Sequence, residues 1–468
     1  MCLRPRKTVL KTKKANEFRL VRKAALSLAL FSYLLSSKWY RIERVPRNIW
    51  CTDLHAGPIA CQLHMFQSLG FNIIAQIDFH NCKFFEESYN SSFCARNLRV
   101  FSRDSQRGYS LDPDPRRLKK RFYDEYKNDE QFMSTSFIFC SHPAANCELY
   151  LQFGKRIVIY NTQRIEFGRD DKFVWWRQPI FSKDSKERWA EWVNNIRAIA
   201  ASDKNIVATN NMYDAKYTEY FTGVRSHYIP SWCGGSILDY TNEYSPHRKE
   251  LVLVPYRSNL FHDRRAVPRE SWPNPTKRTF SDPLSHGIFQ GLPEHLHLIN
   301  LKEAFPPKGN FKNMKEFGMF TAALFIPYVP STMFFFEMYR SNIPMLVPSE
   351  TLLQIWVHRH GILWETSYGD PDVLDFDLSK KETGFLNLPN PNRFDAASRH
   401  AWFEFYDVYR RDSFPHLIYF DSWEHAAALV RSTDFKKVSK RMAKHNFHEY
   451  HRIQKLWSAL FQQSIKVS

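Results

Sequence analysis

Short apolar runs that end on a polar residue or a proline recur along this chain, and between them lie longer stretches with helical spacing. The alternation becomes regular at Arg47. Residues 48–52 read as a strand and 53–58 as a loop with Pro58 at a helix start. Residues 59–69 then read as a helix stopped by Gly70, and 71–77 as the next strand. Further strands are predicted over 136–140, 156–160, 206–209 and 226–229, with helices over 144–153, 186–201 and 212–222 between them. A second series follows. Its strands are predicted over 250–255, 295–301, 321–326, 343–347 and 417–420. Its helices fall over 311–317, from Ser331 to the Ser341-Asn342 pair, around Trp356, and over 396–409, 422–430 and 435 to the end. Strand, helix, strand in steps of about 30 residues is the pattern of βαβ units and parallel sheets.

The two series set the expected organisation. Residues 1–46 form a basic tail with a short apolar segment, and 47–232 a first Rossmann-like domain. Residues 233–249, with Gly234-Gly235 and a polar stretch, form a linker. Residues 250–430 form a second Rossmann-like domain, and 431–468 a basic terminal helix expected to pack back on the first. A chain of 468 residues is long enough for that many cores.

The richest local chemistry lies in residues 321–349, TAALFIPYVPSTMFFFEMYRSNIPMLVPS. An apolar run closes at Pro327, and a short turn holds Pro330. Ser331 stands where an N-cap is expected, and a Phe-rich helix carries a single acid, Glu337. A helix start at the carboxyl end of a strand presents unpaired N–H groups and a positive dipole end, which suits a phosphate. The stretch resembles the C-terminal domain of GT-B glycosyltransferases, though their Gly-rich turn and paired glutamates are absent. That resemblance implies an α/β fold of two Rossmann-like domains facing a cleft. It implies Ser331, Thr332 and Glu337 as donor-binding residues, and Arg257 after the first strand of the second domain as a diphosphate contact. It also places the loop after the first strand of the first domain in the cleft. Asp53 and His55 are accordingly the catalytic candidates, a carboxylate and an imidazole able to take a proton from an acceptor hydroxyl. Asp78, His80 and His142, at later strand ends, are second-rank cleft residues. Each of these residues also fits an ordinary cap, turn or surface role.

Charge and cysteines change the picture modestly. Lys and Arg number 66 against 48 acids, for a net charge of +18, which suits an anionic partner. Zinc-finger spacing is absent, and so is a basic block interleaved with aromatics beyond the tail, which argues against nucleic acid. The eight cysteines fall in the first half without a C-x-x-C pair. A bridge between Cys82 and Cys94 or between Cys140 and Cys147 fits an oxidising lumen, and buried free thiols fit equally. Residues 1–23 carry nine Lys or Arg and one Glu, and residues 24–37 are apolar but short for a full span. A type II anchor in the Golgi or ER membrane with a luminal catalytic domain is the first expectation. A cytoplasmic, peripheral membrane protein is the second.

The resemblance therefore implies a metal-independent glycosyltransferase. It needs no cofactor beyond a nucleotide-sugar co-substrate, and its acceptor is a glycan, protein or lipid hydroxyl. Membrane association would run through residues 24–37. The rivals are a metal-dependent GT-A enzyme using Asp375 and Asp377, and a non-catalytic binding module of glycosyltransferase shape.

Overall fold

The computed structural model describes residues 48–53, 56–77, 100, 115–141, 144–165, 185–232, 244–254, 287–306, 314–327, 329–360, 384–391 and 396–467. All of them fall within one compact unit, Pro46–Ser468. In chain order the first series is β1 (Asn48–Asp53), α1 (Ala56–Ser68), β2 (Asn72–Ile77), α2 (Pro115–Tyr126), α3 (Glu130–Met133), β3 (Phe137–Cys140), β4 (Arg156–Asn161), α4 (Ser185–Ala200), β5 (Ile206–Thr209), α5 (Met212–Thr222) and β6 (His227–Tyr228). The second is β7 (Leu251–Val254), β8 (Leu298–Ile299), α6 (Leu301–Ala304), β9 (Ala322–Phe325), α7 (Met333–Arg340), β10 (Met345–Pro348), α8 (Glu350–His360), α9 (Ala396–Phe403), β11 (Ile418–Phe420) and α10 (Trp423–Ser432), and α11 (Phe435–Lys466) closes the chain.

Two separate, wholly parallel sheets result. The first runs β2-β1-β3-β4-β5-β6 and the second β11-β10-β9-β7-β8. Counted within its own series, each sheet has the order 2-1-3-4-5, with β6 added to the first. This is a doubly wound α/β order, and its direction reverses between the first and third strands of each series. The α/β class with two parallel sheets expected from the sequence is therefore the observed one. Burial explains the strands. β3, β5, β7, β9 and β10 are buried at every position, as sheets covered on both faces require.

Local signals acted as their chemistry predicts. Gly70 and Gly223 follow α1 and α5 with φ of +89° and +73°, the left-handed geometry that a Cβ disfavours. Asn342 takes the same geometry after α7, with φ of +61°. Two predicted helices are tighter than expected. Residues Ala144–Phe153 and Met314–Met319 are 3-10 helices. The first is pinned by the Cys140–Cys147 disulfide, whose Cα atoms are 5.7 Å apart, and is buried from Ala144 through Tyr150. Cys61 is disulfide-bonded as well. The helix predicted over 396–409 breaks after Phe403 and resumes as a 3-10 turn at Asp407–Tyr409, with Phe403 stacked on Tyr406 at 4.6 Å.

α11 joins the two sheets. Its first half bonds to the end of α7, through Ser439 to the Asn342 carbonyl at 2.7 Å and Asn446 to the Tyr339 carbonyl at 2.9 Å. Its second half lies on the first sheet. Trp457 and Phe461 meet Phe66 edge-on at 5.0 and 5.2 Å, and Phe461 meets Phe137 at 5.0 Å. Among the described residues no helix is long and apolar enough to cross a membrane, and residues 24–37 lie outside them.

Candidate functional site

α7 begins against the carboxyl end of β5, where Asn210 reaches Met333. Asn210 directly follows β5. Its backbone N–H donates to the Asn161 carbonyl at 3.0 Å, and its side-chain amide reaches the Ser231 hydroxyl at 3.3 Å and the Met333 sulfur at 3.5 Å. Asn211 caps α5 by accepting from the Asp214 N–H at 2.7 Å, and its own amide donates to Asn210 and Asp214. Tyr160, buried in β4, donates to the Ile229 carbonyl at 2.8 Å and lies 3.1 Å from the Ser231 hydroxyl. The junction between the domains is thereby tied to the same corner.

The helix start differs from expectation in one respect. Thr332, not Ser331, is the N-cap of α7, and its hydroxyl accepts from the Phe335 N–H at 3.1 Å. Ser331 stands one residue earlier and donates to a carboxylate oxygen of Asp407 at 2.6 Å. The break between α9 and the 3-10 turn is what brings Asp407 there. Asp407 is buried, and its other carboxyl oxygen has no hydrogen-bond partner. Burial pushes this carboxyl well above the usual range, and nearby Asp214 adds to the effect. The Ser331 hydrogen bond, Arg410 and Arg340 pull the other way without prevailing.

Glu337 lies five residues past the cap, buried within α7. It makes no side-chain hydrogen bond or ion pair among the described residues. Burial alone pushes its carboxyl up from 4.5 to about 8. Near neutral pH it is a carboxylic acid, able to donate one hydrogen bond and accept others. Arg340 ends the helix and is fully buried. It reaches the Ser231 carbonyl at 3.4 Å and Asn446 at 2.8 Å, lies 4.0 Å from Glu449, and sits over the Trp232 ring at 5.0 Å. Burial works to raise the Glu449 carboxyl, but hydrogen bonds from Arg452 and the charge of Arg340 outweigh it and hold it below the ordinary value.

The first sheet contributes residues that the sequence reading missed. Asn161 ends β4, is 2% exposed, and has neither side-chain nitrogen nor oxygen hydrogen-bonded among the described residues. Gln163, two residues on, is 8% exposed and equally unsatisfied. Arg164 follows, buried, with its guanidinium over the Tyr217 ring at 5.2 Å. Buried amides without partners are costly, and such groups at a crevice are the ones a ligand's hydroxyls can satisfy. Asn161 and Asn210 carried the same signal that selected Asp53, a polar residue directly after an apolar strand. Asp407 carried no such signal, because the segment reads as continuous helix.

Of the other expected residues, Asp53 closes β1 beside β3, at the strand where the order of the first sheet reverses. His55, Asp78, His80, His142 and Arg257 lie outside the described residues, as do Asp375 and Asp377. Among the described residues no three His, Cys, Asp or Glu side chains converge as metal ligands.

The fold is that of an α/β protein with two doubly wound, wholly parallel sheets, and a helix start of the second series is set against a strand end of the first. Among solved structures, the chain is similar to CalG4, the calicheamicin glycosyltransferase, at 9% identity. That match has a TM-score of 0.38 and covers 88% of this chain and 98% of the other. The chain is also similar to the wall teichoic acid polymerase TagF at 12% identity, with a TM-score of 0.33 and coverage of 97% and 98%. At such distances the likeness assigns no residue a role, and the fold class rests on the strand order. No protein-family profile and no curated protein matches the chain.

Proposed function

We propose that this protein is a glycosyltransferase that moves a sugar from a nucleotide-sugar to an acceptor hydroxyl. The observation that carries the reading is the pairing of a helix start with strand ends beside it. A capped helix start, with the serine before its cap bonded to the buried Asp407 carboxyl, lies close to strand ends that hold unsatisfied amides. Helix starts suit diphosphates, and amides suit sugar hydroxyls. In this reading Thr332 and Ser331 fix the turn that receives the diphosphate, and Arg257 adds a guanidinium to it. Glu337, neutral near pH 7, exchanges hydrogen bonds with ribose hydroxyls. Asp53 or His55 takes the proton of the acceptor hydroxyl as the bond from sugar to diphosphate breaks. Positive dipole ends and Arg257 offset the charge on the leaving diphosphate, so the proposal includes no metal.

The Cys140–Cys147 bridge supports an oxidising compartment, and hence the luminal placement over the cytoplasmic one. The deciding experiment is thermal unfolding of the full chain against a panel of nucleotide-sugars. A true donor at about 100 times its Kd stabilises by about 2.7 kcal/mol. Failure of every nucleotide-sugar to raise the Tm would overturn the reading. Binding without turnover of any acceptor would reduce the protein to a binding module.

A further inference from the structure

α11 carries a feature that the crevice does not use. Lys437, Lys440, Arg441, Lys444, His448 and Lys455 are exposed on it, and His451 is half-buried. At about 100° per residue, Lys437, Lys444, His448 and Lys455 fall within about 20° of one line along the helix. Lys440 and His451 flank that line on one side and Arg441 on the other. The stripe is about 27 Å long. Glu449 is the single acid between residues 437 and 455, and it is turned inward and bonded by Arg452. Among the described residues, Lys437, Lys440, Arg441, Lys444 and Lys455 take part in no ion pair. The stripe cannot rotate, because Met442, Asn446, Ile453 and Trp457 on the opposite face are locked into the core.

We infer that this stripe binds a linear acidic polysaccharide, a surface separate from the donor crevice and independent of its assignment. Three observations select that partner. The cations form a narrow line on a rigid helix, which matches a linear polyanion in both charge and shape. The crest carries three lysines and no acid. Between Lys437 and Lys455 a single large apolar side chain among the described residues is exposed, Phe447 at 42%, beside Lys440 at the stripe's edge with His451 edge-on to it at 4.8 Å, so the crest lacks the row of apolar anchors that an interfacial helix inserts into lipid. The Cys140–Cys147 disulfide belongs to compartments where acidic glycans, rather than nucleic acids, are the abundant polyanions.

The test uses the full chain and heparin oligosaccharides of graded length, with neutral dextran, transfer RNA and phosphatidylserine vesicles as alternatives. Affinity for heparin should rise with length until the oligosaccharide spans the stripe, then level off, and should weaken steeply with salt. The variant K437E/K440E/K444E/K455E should lose at least about tenfold in affinity while its Tm stays within about 2 °C, since all four side chains are exposed. The variant K7E/K11E/K13E/K14E makes the same net-charge change in the basic N-terminal tail and should stay within about threefold of the parent. The inference fails if the tail variant loses the binding and the helix variant keeps it. It fails too if affinity ignores oligosaccharide length, or if the helix variant loses RNA or vesicle binding while heparin binding is unchanged.

Discussion

The two sheets share one strand order but finish their carboxyl ends in opposite ways. At the first sheet, Asn161 and Gln163 are buried with their amides unsatisfied. At the second, Thr332 is spent on the Phe335 N–H and Ser331 on Asp407. One topology thus supports a rigid, internally satisfied helix start facing strand ends with hydrogen-bonding capacity left over. The difference shows where a hydroxyl-rich ligand gains most, because satisfying an orphaned amide returns the cost of burying it. Rigidity is useful at the other wall, where a phosphate would need fixed donors.

The strongest challenge to this contrast is Asp53→Asn, at the switch point of the first sheet. Transfer should fall by about a thousandfold, while the Tm shift given by a donor persists. Loss of donor binding along with transfer would move Asp53 out of the acceptor wall. Next in size is Arg340→Ala. It removes a buried cation that joins α7, the junction and α11, and chemical denaturation should show a loss of about 3 kcal/mol. A much smaller loss would mean that the two halves are held together elsewhere.

Glu337→Gln gives a pH-dependent difference. Between about 4.5 and 8 the folded chain holds a proton that the unfolded chain has released, so Glu337 makes stability fall as pH rises through that window. The glutamine variant lacks that loss. It should match the parent near pH 5 and exceed it by up to ~4 kcal/mol above pH 8. Parallel stability curves for the two chains would show that Glu337 is ionised in the fold and finds a partner there. The smallest stability change is expected for Asn161→Ala with Gln163→Ala. Removing unsatisfied amides should cost under about 1 kcal/mol, yet it should erase most of the ligand-induced Tm shift. An unchanged shift would leave the first wall without a binding role.

Much of the fold was legible because its signals are local. Every strand of both sheets overlaps a stretch read as strand from the sequence, most of them apolar runs. The 212–222 helix and its Gly223 stop match the sequence reading to the residue, since an Asn cap and a left-handed glycine act within one turn. The capping error at Ser331 has a long-range cause. Ser331 and Thr332 are both competent caps, and Asp407, 76 positions away from Ser331, claims one of the two hydroxyls. The helix break that delivers Asp407 is likewise set by packing of Phe403 and Tyr406 rather than by a breaker residue.

What the sequence determined alone is the alternation of elements, hence parallel sheets, and the polar residues that close each strand. Periodicity and caps are properties of a few neighbouring residues, and no distant contact is needed to express them. Only the tertiary structure decided which strand ends face α7, that Asp407 is buried beside its start, and that Asn161 and Gln163 are buried without partners among the described residues. Burial and the loss of solvent around a charge depend on which distant segments close over it, and no short window of sequence contains that information.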